Sequence, residues 1–227
     1  PITVTSAADS GDGTLRAAIA GAGADEAIIF DSALAGETIT LASELSIDTD
    51  LTIDGGHAPG LSLSGNEQQR IFRIDSDQEV TLRNLTIVDG SANNSGSIDP
   101  DGSRGRGGAI ITENGAHLTI ENSTLRGNKA DQGGAVFSGY EATLVVRSSL
   151  FHRNESRGNR LQDGGEGVLT GGAITAQGAS DGTLEIYDSI FTENAGINGG
   201  AIGVIHTAVT IDNSEFVDNS STAANSS

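Results

Sequence analysis

Gly107-Gly108-Ala109-Ile110 is the first of four related steps that decide the fold of this chain. The other steps are Gly133-Gly134-Ala135-Val136, Gly171-Gly172-Ala173-Ile174 and Gly199-Gly200-Ala201-Ile202. Each step has a companion phrase: Leu125-Arg126-Gly127-Asn128, Phe151-His152-Arg153-Asn154, Phe191-Thr192-Glu193-Asn194 and Phe216-Val217-Asp218-Asn219. A repeat of about 26 residues is typical of a solenoid, in which each coil buries its apolar side by stacking on the next.

An apolar-X-apolar triplet marks each readable coil. The triplets are Val80-Thr81-Leu82, Leu118-Thr119-Ile120, Leu144-Val145-Val146, Leu184-Glu185-Ile186 and Val209-Thr210-Ile211. In a strand the first and third residues of such a triplet point to the same face, here the interior. With the apolar residues of the two repeated phrases, the triplets predict three short parallel strands per coil. The fold class that follows is all-β, a right-handed parallel β-helix.

The Asn that ends each companion phrase is predicted to form a structural ladder. Asn128, Asn154, Asn194 and Asn219 would lie one above another at the strand spacing of about 4.8 Å. Stacked carboxamides can hydrogen-bond along such a column, and Asn is also common at turns. A structural role is therefore favoured over a catalytic one for these residues.

The first 26 residues differ from the repeats and are predicted to cap the solenoid. Ile2–Thr5 alternates like a strand, and Thr14 can N-cap a short helix whose apolar face holds Leu15, Ala18 and Ile19. Such a helix would cover exposed strand edges. Residues 27–227 are assigned to the coils. Because Asn219 is not followed by another Gly-Gly-Ala step, we expect a fragment of a longer solenoid or an end that another molecule covers.

Two insertions, residues 91–106 and 155–170, fall at the same point of the coil and should leave the same edge of the solenoid. Seven of the 12 basic residues lie in these loops or the turns beside them: Arg104, Arg106, Arg126, Lys129, Arg153, Arg157 and Arg160. Such an edge could bind a sulfated or carboxylated glycan, or an acidic patch of a protein partner. The alternative is that these bases pair with nearby carboxylates: Asp99, Asp101, Asp131, Glu155, Asp163 and Glu166.

Composition excludes several classes of partner. The formal net charge of −19 disfavours nucleic acid and anionic membranes. The absence of cysteine excludes disulfides and thiolate chemistry. No apolar run approaches the ~20 residues that a membrane-spanning helix needs, so membrane insertion is not expected.

The pairing of Gly-Gly-Ala-Ile with Phe-X-X-Asn resembles the repeat of the polymorphic outer membrane proteins, a group of bacterial autotransporter adhesins. Two coils match in both halves, and the others carry Leu125 for Phe or Val136 for Ile. The segment from Val4 to Ile19 is similar to the start of many large secreted bacterial β-helix repeat proteins. The resemblance implies a β-helix with a secreted or cell-surface location, and it implies no particular activity.

No catalytic constellation is recognisable in the sequence. His57, His117, His152 and His206 fall in different phases of the repeat and lack matched partners. Asp188 and Asp212 form the best carboxylate pair for a hydrolase, but Asp188 belongs to a polar column of turn residues. No metal ligand or cofactor is predicted. Ca²⁺ remains a lesser alternative at three acidic turns, Asp9–Gly13, Asp75–Asp77 and Asp99–Asp101.

The function expected from these features is that of a non-catalytic extracellular surface protein. It would act as an adhesin or as a structural, self-assembling element, with other protein surfaces or glycans as partners and possible head-to-tail self-association. The alternative is a carbohydrate-active enzyme, a polysaccharide lyase or hydrolase, acting on acidic polysaccharide. Ice or mineral binding is a weaker alternative, because Val145 and Glu185 interrupt the row of Thr81, Thr119 and Thr210.

Overall fold

The computed structural model describes residues 1–92, 105–158, 170–178 and 181–221. The described chain is mostly β-strand, arranged in four parallel sheets that we name A to D. It also contains one α-helix, α1 (Leu15–Gly21), and a 3-10 turn at Ser32–Leu34. The prediction of a mostly β chain with parallel strands is therefore confirmed.

Sheets A and B contain the strands that lead into the Asn ladder. The strands of sheet A are Ile2–Val4, Glu26–Phe30, Leu51–Asp54, Glu79–Arg83, His117–Glu121, Thr143–Arg147, Thr183–Tyr187 and Ala208–Asp212. Those of sheet B are Thr38–Thr40, Ser62–Ser64, Thr86–Val88, Thr124–Arg126, Leu150–His152, Ile190–Thr192 and Glu215–Val217.

Sheets C and D follow the ladder within each coil. The strands of sheet C are Leu45–Ile47, Phe72–Ile74, Ile110–Thr112, Val136–Ser138, Ile174–Gln177 and Ile202–Ile205. Those of sheet D have two residues each: Ser91–Ala92, Lys129–Ala130, Glu155–Ser156, Ala195–Gly196 and Ser220–Ser221. A complete coil passes through sheets A, B, D and C in that order, and each strand pairs with its equivalent in the next coil.

The sequence predicts three strands per coil, whereas a complete coil has four, and the strand that was not predicted belongs to sheet D. Ser91–Ala92 and Glu155–Ser156, which were assigned to the inserted loops, are strands of this sheet. Their pairing begins at the ladder, because the backbone N–H of Gly90 donates to the carboxamide of Asn128 and Asn154 directly precedes Glu155. The N–H of Glu155, for example, donates to the carbonyl of Asn128 at 2.9 Å.

The apolar core lies inside the coils. In sheet A the first and third residues of each triplet point inward, so that Leu144, Val146, Leu184 and Ile186 are fully buried. In sheet B the central residue points inward, and the column ends in a stack of phenylalanines. The ring centroids of Phe151 and Phe191 are 4.7 Å apart, and the rings are nearly parallel. Because these columns run from coil to coil, each coil buries its apolar residues against its neighbours.

Helix α1 packs against the first strand of sheet A and the first strand of sheet C. Thr14 is its N-cap and accepts a hydrogen bond from the N–H of Ala17. Leu15, Ala18 and Ile19 are buried, as their spacing predicts. Arg16 fastens the helix to the coil by donating to the backbone carbonyls of Ser43 and Glu44.

Candidate functional site

Polar side chains are bonded from coil to coil along two buried ladders. In the first, the Oδ1 atom of Asn154 accepts from the side-chain nitrogen of Asn128, and Oδ1 of Asn194 accepts from Asn154 in the same way, at 2.9 and 3.0 Å. The same oxygens also accept from the backbone N–H groups of the preceding rungs. Asn219 repeats this arrangement toward Asn194. Asn128, Asn154 and Asn194 are fully buried. Their carboxamide groups are hydrogen-bonded within the ladder, so these groups are not available for catalysis.

The second ladder is made of serine and was not predicted. Ser123 donates its backbone N–H to the hydroxyl of Ser149, and Ser149 donates to Ser189, at 3.1 and 3.2 Å. Each hydroxyl in turn donates to the carbonyl two residues before it. The signal in the sequence is a Ser two residues after each of the last four strands of sheet A, at positions 123, 149, 189 and 214.

Three of the described residues of the predicted basic edge form ion pairs with carboxylates. Lys129 contacts Glu67 at 3.0 Å, Arg153 contacts Glu193 at 2.8 Å, and Arg157 contacts Glu155 at 2.9 Å. Of the carboxylates that the sequence offered as partners, only Glu155 is used among these three pairs, since Glu67 and Glu193 lie on other coils. Contacts across coils of this kind cannot be read from sequence spacing alone.

The pKa values of these groups follow the pairing. The Arg157 guanidinium bonds both carboxylate oxygens of Glu155 and lowers the pKa of that carboxyl against the opposing effect of burial. The same contact raises the pKa of Arg157. Arg153 lowers the pKa of Glu193. Both carboxylates are thus held in the charged form, which suits paired surface groups and not a general acid.

The remaining basic residues have different surroundings. The guanidinium of Arg106 lies over the ring of Phe137, 4.7 Å from its centroid. Arg126 is exposed on the outer face of sheet B beside His152, and no carboxylate among the described residues forms a salt bridge with it. Arg104 and Arg160, together with most of both inserted loops, lie outside the described residues. Within the described chain, Arg126 is therefore the member of the predicted basic edge most available to an anionic ligand.

Asp188, which the sequence pairs with Asp212 as the best candidate for a hydrolase, has a structural role at a turn. Asp188 lies in the left-handed region, with φ of 50°, and accepts a hydrogen bond from the side chain of Asn213 at 2.5 Å. Its backbone N–H donates to the carbonyl of Asp212. Asn84, Asn122, Ser148 and Asn213 have the same left-handed conformation at the equivalent corner of their coils. Asp188 thus belongs to a column of corner residues.

Metal ligation finds little support among the described residues. No group of three or more His, Asp or Glu side chains lies close enough to hold a metal ion in that part of the chain. In the first acidic turn, Asp9 accepts from Arg16 at 2.7 Å. The turn at Asp99–Asp101 lies outside the described residues.

In the part of the chain that the structure describes, the last coil, which ends at Ser221, presents an open apolar face. Val209, Ile211 and Phe216 are 41%, 48% and 42% exposed, whereas their equivalents one coil earlier, Leu184, Ile186 and Phe191, are fully buried. A shallow hollow of about 640 Å³ lies on this face, lined by these three residues together with Ile202, Val204 and Asn219. We refer to this surface as the open coil face.

Comparison with known proteins gives no assignment: no protein-family model and no curated protein matches the chain. Among the described residues, no helix has the length and apolar character needed to cross a membrane.

Proposed function

We propose that the chain is a right-handed parallel β-helix, capped by α1, that serves as a non-catalytic extracellular surface element. Its role is structural or adhesive, and it acts by stacking the open coil face against a further coil. The exposure of Val209, Ile211 and Phe216 carries the proposal, because the equivalent positions are buried in the five preceding coils. An exposed apolar surface of this kind marks an interaction site.

The hydrogen-bonding groups at the open coil face support the same role. In each lower rung of the Asn ladder the backbone N–H and one side-chain N–H donate to the carboxamide of the next coil. Asn219 is the last described rung, and its backbone N–H has no acceptor among the described residues. The final strands of all four sheets also end there without a parallel neighbour in the described chain. Strand edges and unused donors are the groups that pair with another chain.

Self-association tests this proposal. Light scattering of the purified chain across a concentration range should show association that Ile211→Lys abolishes, because a charge would then be buried in the contact. Ile190→Lys is the matched control, since Ile190 is 43% exposed but lies on the outer face of sheet B. A wild-type chain that stays monomeric at every concentration, or equal loss in both variants, would contradict stacking at this face.

A single introduced cysteine can distinguish a face-to-face from a head-to-tail arrangement of two associated copies, because the chain has no cysteine of its own. A disulfide-linked dimer of Ser214→Cys would show that two open coil faces meet with this corner beside the two-fold axis. In a head-to-tail contact, α1 of one copy would face the open coil face of the next. That arrangement would leave this cysteine unlinked and would instead need a second cysteine in α1.

The enzymatic alternative is tested with a panel of acidic polysaccharides. We expect no product from the wild-type chain. Turnover that disappears in Asp188→Asn or Arg157→Ala would establish a polysaccharide lyase or hydrolase and overturn the non-catalytic assignment.

A further inference from the structure

We infer that Asn122 is an acceptor for an N-linked glycan, transferred from a lipid-phosphate-linked oligosaccharide. The inference rests on the extracellular location proposed above. The segment Asn122-Ser123-Thr124 fits the acceptor pattern Asn-X-Ser/Thr, in which X is not proline. This pattern is short and recurs in the chain, so the structure must distinguish its copies.

Four copies of the pattern begin within the described residues, at Asn84, Asn122, Asn154 and Asn219. Asn154 is fully buried in the Asn ladder. The side chain of Asn219 both donates to the carbonyl of Phe191 and accepts from Asn194. Asn84 is exposed, but its side-chain nitrogen donates to the carboxylate of Asp54 at 2.7 Å. Two further copies, at Asn93 and Asn225, lie outside the described residues.

Asn122 differs from the other three in the state of its carboxamide. The residue is exposed, and no described residue forms a hydrogen bond with its side chain. Its backbone is held in place, because its N–H donates to the carbonyl of Arg147 at 3.1 Å and its φ is 45°. The amide nitrogen is therefore available to a transferase without breaking a contact of the fold.

The surroundings also leave space for a saccharide. Asn122 occupies the corner between sheets A and B, and the residues at the same corner of the next two coils, Ser148 and Asp188, are exposed as well. Thr124, the third residue of the pattern, stands in the outward column of sheet B between Thr86 and Leu150. A glycan at this corner would project away from the core and from the open coil face.

The transfer balances without any further reactant. The Asn122 amide nitrogen attacks the anomeric carbon of the donor sugar, and the bond from that carbon to the phosphate oxygen breaks. The lipid phosphate departs with the bonding electrons, and the amide loses one proton to solvent. The product keeps one amide N–H and the carbonyl oxygen.

The experiment is secretion of the full chain from a eukaryotic host that carries an oligosaccharyltransferase, followed by peptide mass mapping before and after glycosidase treatment. We expect a glycan at Asn122 that is lost in both Asn122→Gln and Thr124→Ala. When folded protein is the substrate, occupancy at Asn84 should be at least about tenfold lower than at Asn122, because the hydrogen bond from its amide to the Asp54 carboxylate must break first. Asn84→Gln is therefore the control that leaves the glycan in place.

A second arm uses folded protein purified from a host without glycosylation, incubated with the same transferase and a lipid-linked oligosaccharide. Modification at Asn122 is again expected. Its absence from both arms, or equal modification of Asn84 and Asn122 in the folded protein, would overturn the inference. Neither result bears on stacking, because Asn122→Gln should leave the concentration-dependent association unchanged.

Discussion

The carboxamide oxygen of Asn154 accepts two hydrogen bonds from Asn128, one from its backbone N–H at 3.1 Å and one from its side chain at 2.9 Å. The Asn154 amide then donates to the carbonyl of Leu125 and to the carboxamide of Asn194. One side chain thus satisfies buried groups of three coils. The stability of the stack should depend on it more than on any exposed polar residue.

Replacing Asn154 with alanine should lower the free energy of unfolding by about 2–5 kcal/mol, because several buried donors and acceptors lose their partners. Urea unfolding followed by circular dichroism measures the effect. Asn122→Ala is the comparison, since that side chain is exposed, and it should cost no more than about 1 kcal/mol, from the loss of asparagine's preference for its left-handed conformation. Similar losses in the two variants would show that the ladder contributes little.

The second glycine of the Gly-Gly-Ala step should not tolerate a side chain. A Cβ atom on Gly134 would lie 2.2 Å from the carbonyl oxygen of Gly172, which belongs to the next coil. We expect Gly134→Ala to cost more than about 3 kcal/mol or to prevent folding, because backbone must move to admit the methyl group. Gly21→Ala, where a Cβ meets no atom within 4 Å, should be neutral or stabilising by up to about 1 kcal/mol. Thermal unfolding of both variants tests this contrast.

Replacing the corner residue Ser148 with asparagine should stabilise the fold. Its φ of 46° is a conformation that asparagine adopts more readily than serine. Ser148→Asn should therefore raise the free energy of unfolding by a few tenths to about 1 kcal/mol. The neighbouring change Ser149→Asn should do the opposite, because Ser149 is buried and its hydroxyl is a rung of the serine ladder. Destabilisation by Ser148→Asn would show that another contact governs this corner.

The carboxylate of Asp54 should contribute a pH-dependent part of the stability. Burial favours its neutral form, but hydrogen bonds from Asn84, Gly56 and Arg83 outweigh burial and lower its pKa. A lowered native pKa gives stability that is present above the unfolded-state pKa of Asp and is lost as the pH falls through the native value. Asp54→Asn should thus cost about 0.5–1 kcal/mol at pH 7 and nothing once the wild-type carboxyl is protonated. A difference between the two proteins that persists unchanged at pH 2 would contradict this assignment.

The excess of negative charge should make the fold more stable in salt. The chain has 31 acidic and 12 basic residues, so repulsion between like charges outweighs the ion pairs. Raising the ionic strength from 0.01 to 1 M shortens the Debye length from about 30 to about 3 Å and should raise the melting temperature. Sodium and potassium chloride should act alike if screening is the cause. A melting temperature that falls in salt would show that pairs such as Arg153–Glu193 dominate instead.

Much of the coil could be predicted because the repeat gives direct information about register. The alternation in the triplets identified the inward residues of sheet A, and the column Arg83, Glu121, Arg147, Tyr187 and Asp212 pairs as the spacing implies. The spacing of the Asn residues likewise predicted stacked carboxamides. The left-handed residue at that turn, however, is the one before the Asn, as at Arg153, Glu193 and Asp218.

The ion-pair partners at the basic edge could not be predicted from the sequence in the same way. Sequence spacing placed Arg153 and Lys129 near carboxylates of their own turns, but their partners Glu193 and Glu67 come from other coils. Two-residue strands are also too short to show alternation, which is why sheet D was missed. Both failures concern contacts between coils at positions where the repeat is irregular.

The ladder hydrogen bonds have a direction, and this has a consequence for the order of folding. The backbone N–H and one side-chain N–H of Asn128, Asn154 and Asn194 donate to the carboxamide of the coil that follows in sequence. A chain that is made and folded from its N-terminus would therefore carry an incomplete rung at its newest coil until the next coil arrives. Each arriving coil would supply the acceptor that completes the rung before it.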